Sequence, residues 1–73
     1  MYSLTFNTKT ENLTKVFSIC FLKSDVRTLS EDTVQIEINS FKEYDDEAKE
    51  EVLNTLLQVC DAIGSNNIQL ISI

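Results

Sequence analysis

The chain contains no histidine, and this absence excludes more chemistry than any other feature of its composition. Histidine is the usual general base near neutral pH, the commonest metal ligand, and the base that activates serine and cysteine nucleophiles. Carboxylates remain, but glycoside hydrolysis needs two carboxyl groups that flank a sugar inside a cleft. A 73-residue chain rarely encloses such a cleft, so we expect no enzymatic activity and no catalytic residue.

Glycine, proline and cysteine are also scarce. Gly64 is the one glycine, which excludes both a GxGxxG fingerprint and a Walker A loop, and proline is absent. Cys20 and Cys60 form no CxxC motif and lie within apolar patterns, so we expect two buried free thiols. The segment YDDE, residues 44–47, lacks the central glycine of an EF-hand loop. The sequence therefore predicts neither a metal site nor a cofactor.

Positive charge is limited to six lysine and arginine residues against twelve aspartate and glutamate residues, a net charge of −6. Nucleic-acid binding relies on lysine and arginine, so we expect no direct contact with nucleic acid or with anionic membranes. The first residues lack the basic and apolar regions of a signal peptide. The apolar run VFSICFL is far shorter than the roughly 18 residues of a membrane span. These features predict a cytoplasmic protein.

The apolar residues predict four strands. Residues 2–7 and 33–39 alternate strictly between apolar and polar side chains, as a half-buried strand does. Residues 13–22 are apolar on both faces, which is typical of a central strand. Residues 68–73 predict a last strand, whose register and partner are left open. Residues 23–32 are predicted to be a polar loop whose two isolated apolar side chains tuck under the domain.

An amphipathic helix is predicted before the last strand. Asp45 or Asp46 is its expected N-cap, and Gly64 its expected left-handed C-cap. Its apolar stripe recurs at spacings of three and four residues and comprises Ala48, Val52, Leu53, Leu56, Val59, Cys60 and Ile63. The predicted fold is α+β, a single domain over residues 1–73 with a small, mostly antiparallel sheet (β-β-β-α-β) and one helix packed on one face. Because such a sheet has free edges, we leave both a monomer and a homodimer open.

The segment KEYDDEAKEE, residues 42–51, holds half of the chain's twelve carboxylates and only two lysines. An ordinary solvated helix face explains it, because acidic side chains near a helix N-terminus interact favourably with the helix dipole. Alternatively, the carboxylates form a patch that binds a basic surface of another protein. The candidate partner-binding residues are Glu43, Tyr44, Asp45, Asp46, Glu47, Glu50 and Glu51. Tyr44 is either an aromatic anchor or a cover for the helix start, and Phe41 is expected in the core.

In its size, its acidity and its plain build of strands and helix, the chain is similar to small phage-encoded anti-defence proteins, including anti-CRISPR inhibitors. That resemblance implies stoichiometric inhibition in the host cytoplasm, with carboxylates docked onto the nucleic-acid-binding surface of a nuclease or nucleoprotein complex. An immunity or antitoxin protein that neutralises a toxin nuclease is an alternative. A small structural or oligomerising subunit, whose acidic helix is only a solvated face, is another.

Overall fold

The computed structural model describes residues 2–20 and 23–72 and has an α+β fold, as the sequence predicts. The elements in chain order are β1 (Ser3–Lys9), α1 (Leu13–Cys20), β2 (Ser24–Thr28), β3 (Thr33–Asn39), α2 (Asp45–Ile63) and β4 (Gln69–Ser72). Short 3-10 turns at Thr10–Asn12 and Ser65–Asn67 precede α1 and β4. The order is therefore β-α-β-β-α-β, with two helices rather than the one expected.

The four strands form one sheet in the order β2-β3-β1-β4, and every neighbouring pair is antiparallel. The strands β1 and β2 are consequently parallel to each other with β3 between them, and β3 and β4 are parallel with β1 between them. Each of the two helices thus connects two parallel strands across an intervening one. This is the split βαβ, or ferredoxin-like, arrangement. Because that arrangement carries many unrelated functions, the fold by itself assigns none here.

The core lies between one face of the sheet and both helices. In β1 and β3 every second side chain is buried, which confirms the alternation predicted from the sequence. A single cluster of buried residues includes side chains from β1, α1, β3 and α2, so both helices cover the same face. Its members are Leu4, Phe6, Val16, Cys20, Val34, Ile36, Ile38, Val52, Val59 and Ile63. The predicted apolar stripe of α2 is confirmed, with Leu53, Leu56 and Cys60 only partly buried at its border.

The prediction of a strand over residues 13–22 is wrong, since Leu13–Cys20 forms α1; residues 21 and 22 lie outside the described part of the chain. Val16 and Cys20, four residues apart, are its buried positions, and Leu13 packs against the same core. A short segment that is apolar at almost every position fits both the helical and the strand period. Packing against α2 selects the helix, because β1 already has β3 and β4 as its neighbours in the sheet.

The prediction of a loop over residues 23–32 is also wrong for its first part. Residues 24–28 form the edge strand β2, which pairs with β3 along its whole length. Val26 and Leu29 do not tuck under the domain and are instead exposed to solvent. Asp25 is a weak strand former, whereas Val26 and Thr28 are strong ones, so local propensity is mixed and the backbone pairing with β3 decides this element.

The ends of α2 differ from the prediction at the N-cap. Tyr44, with extended torsion angles (φ −94°, ψ 136°), is the N-cap residue, and Asp45 and Asp46 lie inside the first helical turn. The reason is that the carbonyl of Tyr44 already accepts the first helical bond, from the amide of Ala48 at 2.9 Å. At the other end Gly64 follows the helix with the expected positive φ of 88°, but its ψ of 135° lies outside the left-handed helical region.

The two cysteines are free thiols, as predicted, although only Cys20 is buried and Cys60 is half-buried. Burial raises the pKa of the Cys20 thiol. Its Sγ donates to the carbonyl of Val16, 3.3 Å away, so it behaves as a small core residue.

Candidate functional site

The connection between β3 and α2 exposes two aromatic side chains. Phe41 is 72% exposed and Tyr44 is 67% exposed. The expectation that Phe41 belongs to the core is therefore wrong. The inward alternation of β3 continues one step past the strand to Ser40, which is 2% exposed, so the next residue points outward.

A hydrogen-bonded cluster fixes this connection onto α2. The Ser40 hydroxyl donates to Glu51 Oε2 over 2.6 Å and accepts the backbone N–H of Lys42 over 3.0 Å. The backbone N–H of Ser40 donates to the carbonyl of Tyr2, 3.1 Å away. On its other oxygen Glu51 pairs with the ammonium group of Lys23, which follows α1. The two aromatic residues thus lie on a segment tied to α2 and to the residues that precede β1 and β2.

The acidic residues begin in that connection and continue along the first turns of α2. Asp45, Asp46 and Glu47 occupy the first turn of the helix, where the dipole favours negative charge. Five of the six carboxylates in residues 42–51 are exposed to solvent. We define the acidic–aromatic surface as these carboxylates together with the two aromatic side chains: Phe41, Glu43, Tyr44, Asp45, Asp46, Glu47 and Glu50.

Glu51 differs from the other predicted partner-binding residues. Its side chain is 17% exposed, and both of its oxygens have partners inside the fold. The hydrogen bond from Lys23, and next the one from Ser40, lowers the pKa of its carboxyl group. Glu51 therefore holds the surface in place rather than presenting a free carboxylate on it.

Beside the surface runs an open groove of about 440 Å³. Lys23 and Lys42 contribute to its lining together with Glu47, Glu50 and Glu51 from α2. The groove thus carries charges of both signs, and Glu47 and Glu50 belong both to its lining and to the acidic–aromatic surface. Among residues 2–20 and 23–72, no three acidic or cysteine side chains are grouped so as to hold a metal ion.

The opposite end of the sheet has a smaller cleft of about 210 Å³, between the end of β1 and the turn that precedes β4. Asn7, Thr33, Asn66 and Gln69 are among its lining residues. The side-chain oxygen of Asn7 is buried and has no hydrogen-bond partner in the described part of the chain. This cleft is far from the acidic–aromatic surface along β1.

The face of the sheet that the helices leave open is polar. On β1 and β3 its positions alternate with the core positions and comprise Ser3, Thr5, Asn7, Lys9, Thr33, Gln35, Glu37 and Asn39. None of these side chains is aromatic. Sheet proteins that bind single-stranded RNA stack bases on aromatic residues at such positions, so these two strands offer no stacking platform.

The sequence prediction located the acidic residues but missed the groups that organise them. Ser40 and Lys23 carry no motif, and their roles depend on contacts with a residue far along the chain. The exposure of Phe41 could have been predicted from the strict alternation over residues 33–39. Continued by two residues, that alternation places position 41 on the outward side.

No protein-family model matches the chain, and neither a curated protein nor a solved structure matches it. Within the described residues, no helix is both long enough and apolar enough to cross a membrane.

Proposed function

We propose that this chain is a small, non-enzymatic binding protein that inhibits a basic, nucleic-acid-handling partner protein by covering its basic surface. The observation that carries the proposal is the acidic–aromatic surface. Two largely exposed aromatic side chains lie beside five exposed carboxylates, where a connection fixed by the hydrogen bond between Ser40 and Glu51 leads into the first turns of α2.

The exposed aromatic residues separate this proposal from an ordinary solvated helix face. Acidic residues at a helix start need no partner, because the dipole alone favours them. That explanation does not extend to Phe41 and Tyr44, whose apolar area lies in water directly beside the charges. Aromatic side chains are enriched at the energetic centres of protein interfaces, and a rim of charge steers association.

The charge favours a basic protein as the partner. The whole chain has a net charge of −6, and residues 42–51 hold six of the twelve carboxylates. Carboxylates at helical spacing offer a basic groove negative charges in place of phosphates, so the chain competes with nucleic acid for the same surface. An inhibitor of this kind fits phage-encoded proteins that block host defence nucleases, and it acts in the host cytoplasm.

The proposal is tested by capture from host lysate on immobilised protein. The test variant carries Glu43→Gln, Glu47→Gln and Glu50→Gln, which removes three exposed charges of the surface and leaves Glu51 intact. The matched control removes three exposed charges elsewhere through Glu11→Gln, Glu31→Gln and Asp61→Asn. Circular dichroism confirms that both variants fold.

We expect the wild type and the control to retain a basic protein that excess duplex DNA or RNA releases. The test variant should bind it at least about tenfold more weakly, which is about 1.4 kcal/mol. Because steering by exposed charges is screened, binding by the wild type should fall steeply as salt rises. Equal retention by test variant and control, or a captured partner that nucleic acid does not displace, refutes the proposal.

A further inference from the structure

The outer edge of β4 is open. The strand is the last in the order β2-β3-β1-β4, and its one neighbour among the described residues is β1. All four of its residues are exposed, and two of them are large and apolar: Leu70 is 45% exposed and Ile71 is 48% exposed. The strand is short and its register against β1 shifts at Ile71, but its open edge still presents unpaired backbone groups with which another strand is able to pair.

The other edge of the sheet has a different character. In β2, Asp25 and Arg27 place one charge of each sign on the edge strand, and Asn39 bonds to the carboxylate of Asp25 over 3.1 Å. Charged side chains on an edge strand oppose pairing with another chain. In contrast, residues 62–73, which include all of β4, carry no charged side chain. In a chain of net charge −6, this uncharged stretch is where a second copy meets the least repulsion.

The positions of the charges also select the orientation of the pair. Because β1 and β4 are antiparallel, the end of β4 lies toward the start of β1, next to the end of β3 and the acidic–aromatic surface. When two copies pair antiparallel through β4, the two acidic–aromatic surfaces lie at opposite ends of the joined sheet. Parallel pairing brings them to the same end, where like charges repel.

We propose that β4 pairs antiparallel with β4 of a second copy across a two-fold axis, joining the two sheets into one of eight strands. The contact is isologous, so the same β4 surface is used by both copies, and Leu70 and Ile71 contribute its apolar area. A short strand buries less area than a standard protein interface, so the dimer is weak and forms at micromolar concentrations or above. This inference does not depend on the proposed inhibitory function.

The test is sedimentation velocity from about 5 to about 500 μM, a range that brackets a weak interface. We expect the wild type to pass from monomer to dimer over this range. Ile71→Lys, which places a charge on the β4 edge, should remain monomeric throughout. The matched control is Val26→Lys, the same change at an exposed apolar residue of the opposite edge strand, and it should dimerise as the wild type does.

A monomeric wild type at the highest concentration overturns the proposal. So does an Ile71→Lys protein that dimerises normally, or loss of the dimer in Val26→Lys alone, which would assign the contact to β2. Hydrogen exchange of the wild type gives a second readout that needs no variant. The amides of β4 should be better protected at high than at low protein concentration, and unchanged protection there also contradicts the proposal.

Discussion

Replacing Glu51 by glutamine tests whether the cluster with Ser40 and Lys23 stabilises the connection between β3 and α2. The substitution keeps the size of the side chain and removes its charge. It converts the ion pair with Lys23 into a contact between an ammonium group and a neutral amide, and it weakens the bond from the Ser40 hydroxyl, which is 2.6 Å long. Glutamine offers one accepting oxygen where glutamate has two, so one of the two bonds persists with a neutral acceptor.

The expected loss follows from the exposure of the two partners. The Lys23 side chain is 37% exposed, so solvent screens its share of the pairing to well under about 1 kcal/mol. Ser40 is 2% exposed, and a bond from a buried hydroxyl to a charged group contributes about 1.5 kcal/mol. Together these give a loss of about 1–2 kcal/mol in the free energy of unfolding. For a domain of this size that lowers Tm by about 5–15 °C.

Urea and thermal unfolding followed by circular dichroism measure this loss at pH 7. The matched control is Glu50→Gln, the same change at an exposed neighbouring residue, and its unfolding free energy should stay within about 0.5 kcal/mol of the wild type. Glu51→Gln unfolding at the wild-type midpoint would refute the structural role that we assign to the carboxylate.

The pH dependence provides an independent check of the same cluster. The folded-state pKa of Glu51 is lowered, so its contribution is fully present above the unfolded-state pKa, about 4.3 for glutamate. It is lost as pH falls through the lower folded-state pKa. The difference in stability between the wild type and Glu51→Gln should therefore shrink under acid conditions. A difference that stays constant from about pH 7 to about pH 2 would contradict this.

Three further substitutions test other parts of the structure by urea unfolding. Phe41→Ala should change the unfolding free energy by less than about 0.5 kcal/mol because the ring is exposed, and a larger loss would place it in the core. Asn7→Val should stabilise the fold by about 1 kcal/mol, since it removes a buried oxygen without a partner in the described residues and favours the strand; destabilisation would indicate that the amide is bonded. Gly64→Ala should cost about 1–3 kcal/mol, because φ is 88° and the new Cβ would lie 3.0 Å from Asn66 Oδ1; an unchanged midpoint would contradict that backbone conformation.

The elements that were predicted best from the sequence are those whose apolar residues recur with one clear period. β1 and β3 alternate strictly, and α2 has a stripe of apolar residues over five turns, so each pattern fits one type of element only. Gly64 marked the end of α2 because a positive φ favours glycine over every other residue.

The parts that sequence missed depend on neighbours elsewhere in the chain. The apolar residues of Leu13–Cys20 fit either a helix or a strand, and packing against α2 stabilises the helix. Ser24–Thr28 combines Asp25, which disfavours a strand, with Val26 and Thr28, which favour one, and pairing with the backbone of β3 decides for a strand. In both cases the energy that decides comes from contacts between elements, which no local window contains.

For the candidate site, the sequence by itself determined the charge, the helical spacing of the carboxylates and the absence of histidine. Those properties are set by composition and by the helical period alone. Only the tertiary structure decided that Glu51 turns inward to Ser40 and Lys23 and that Phe41 faces solvent. The physical reason is that the pairing of a carboxylate and the burial of a ring depend on which distant residues the fold brings to them.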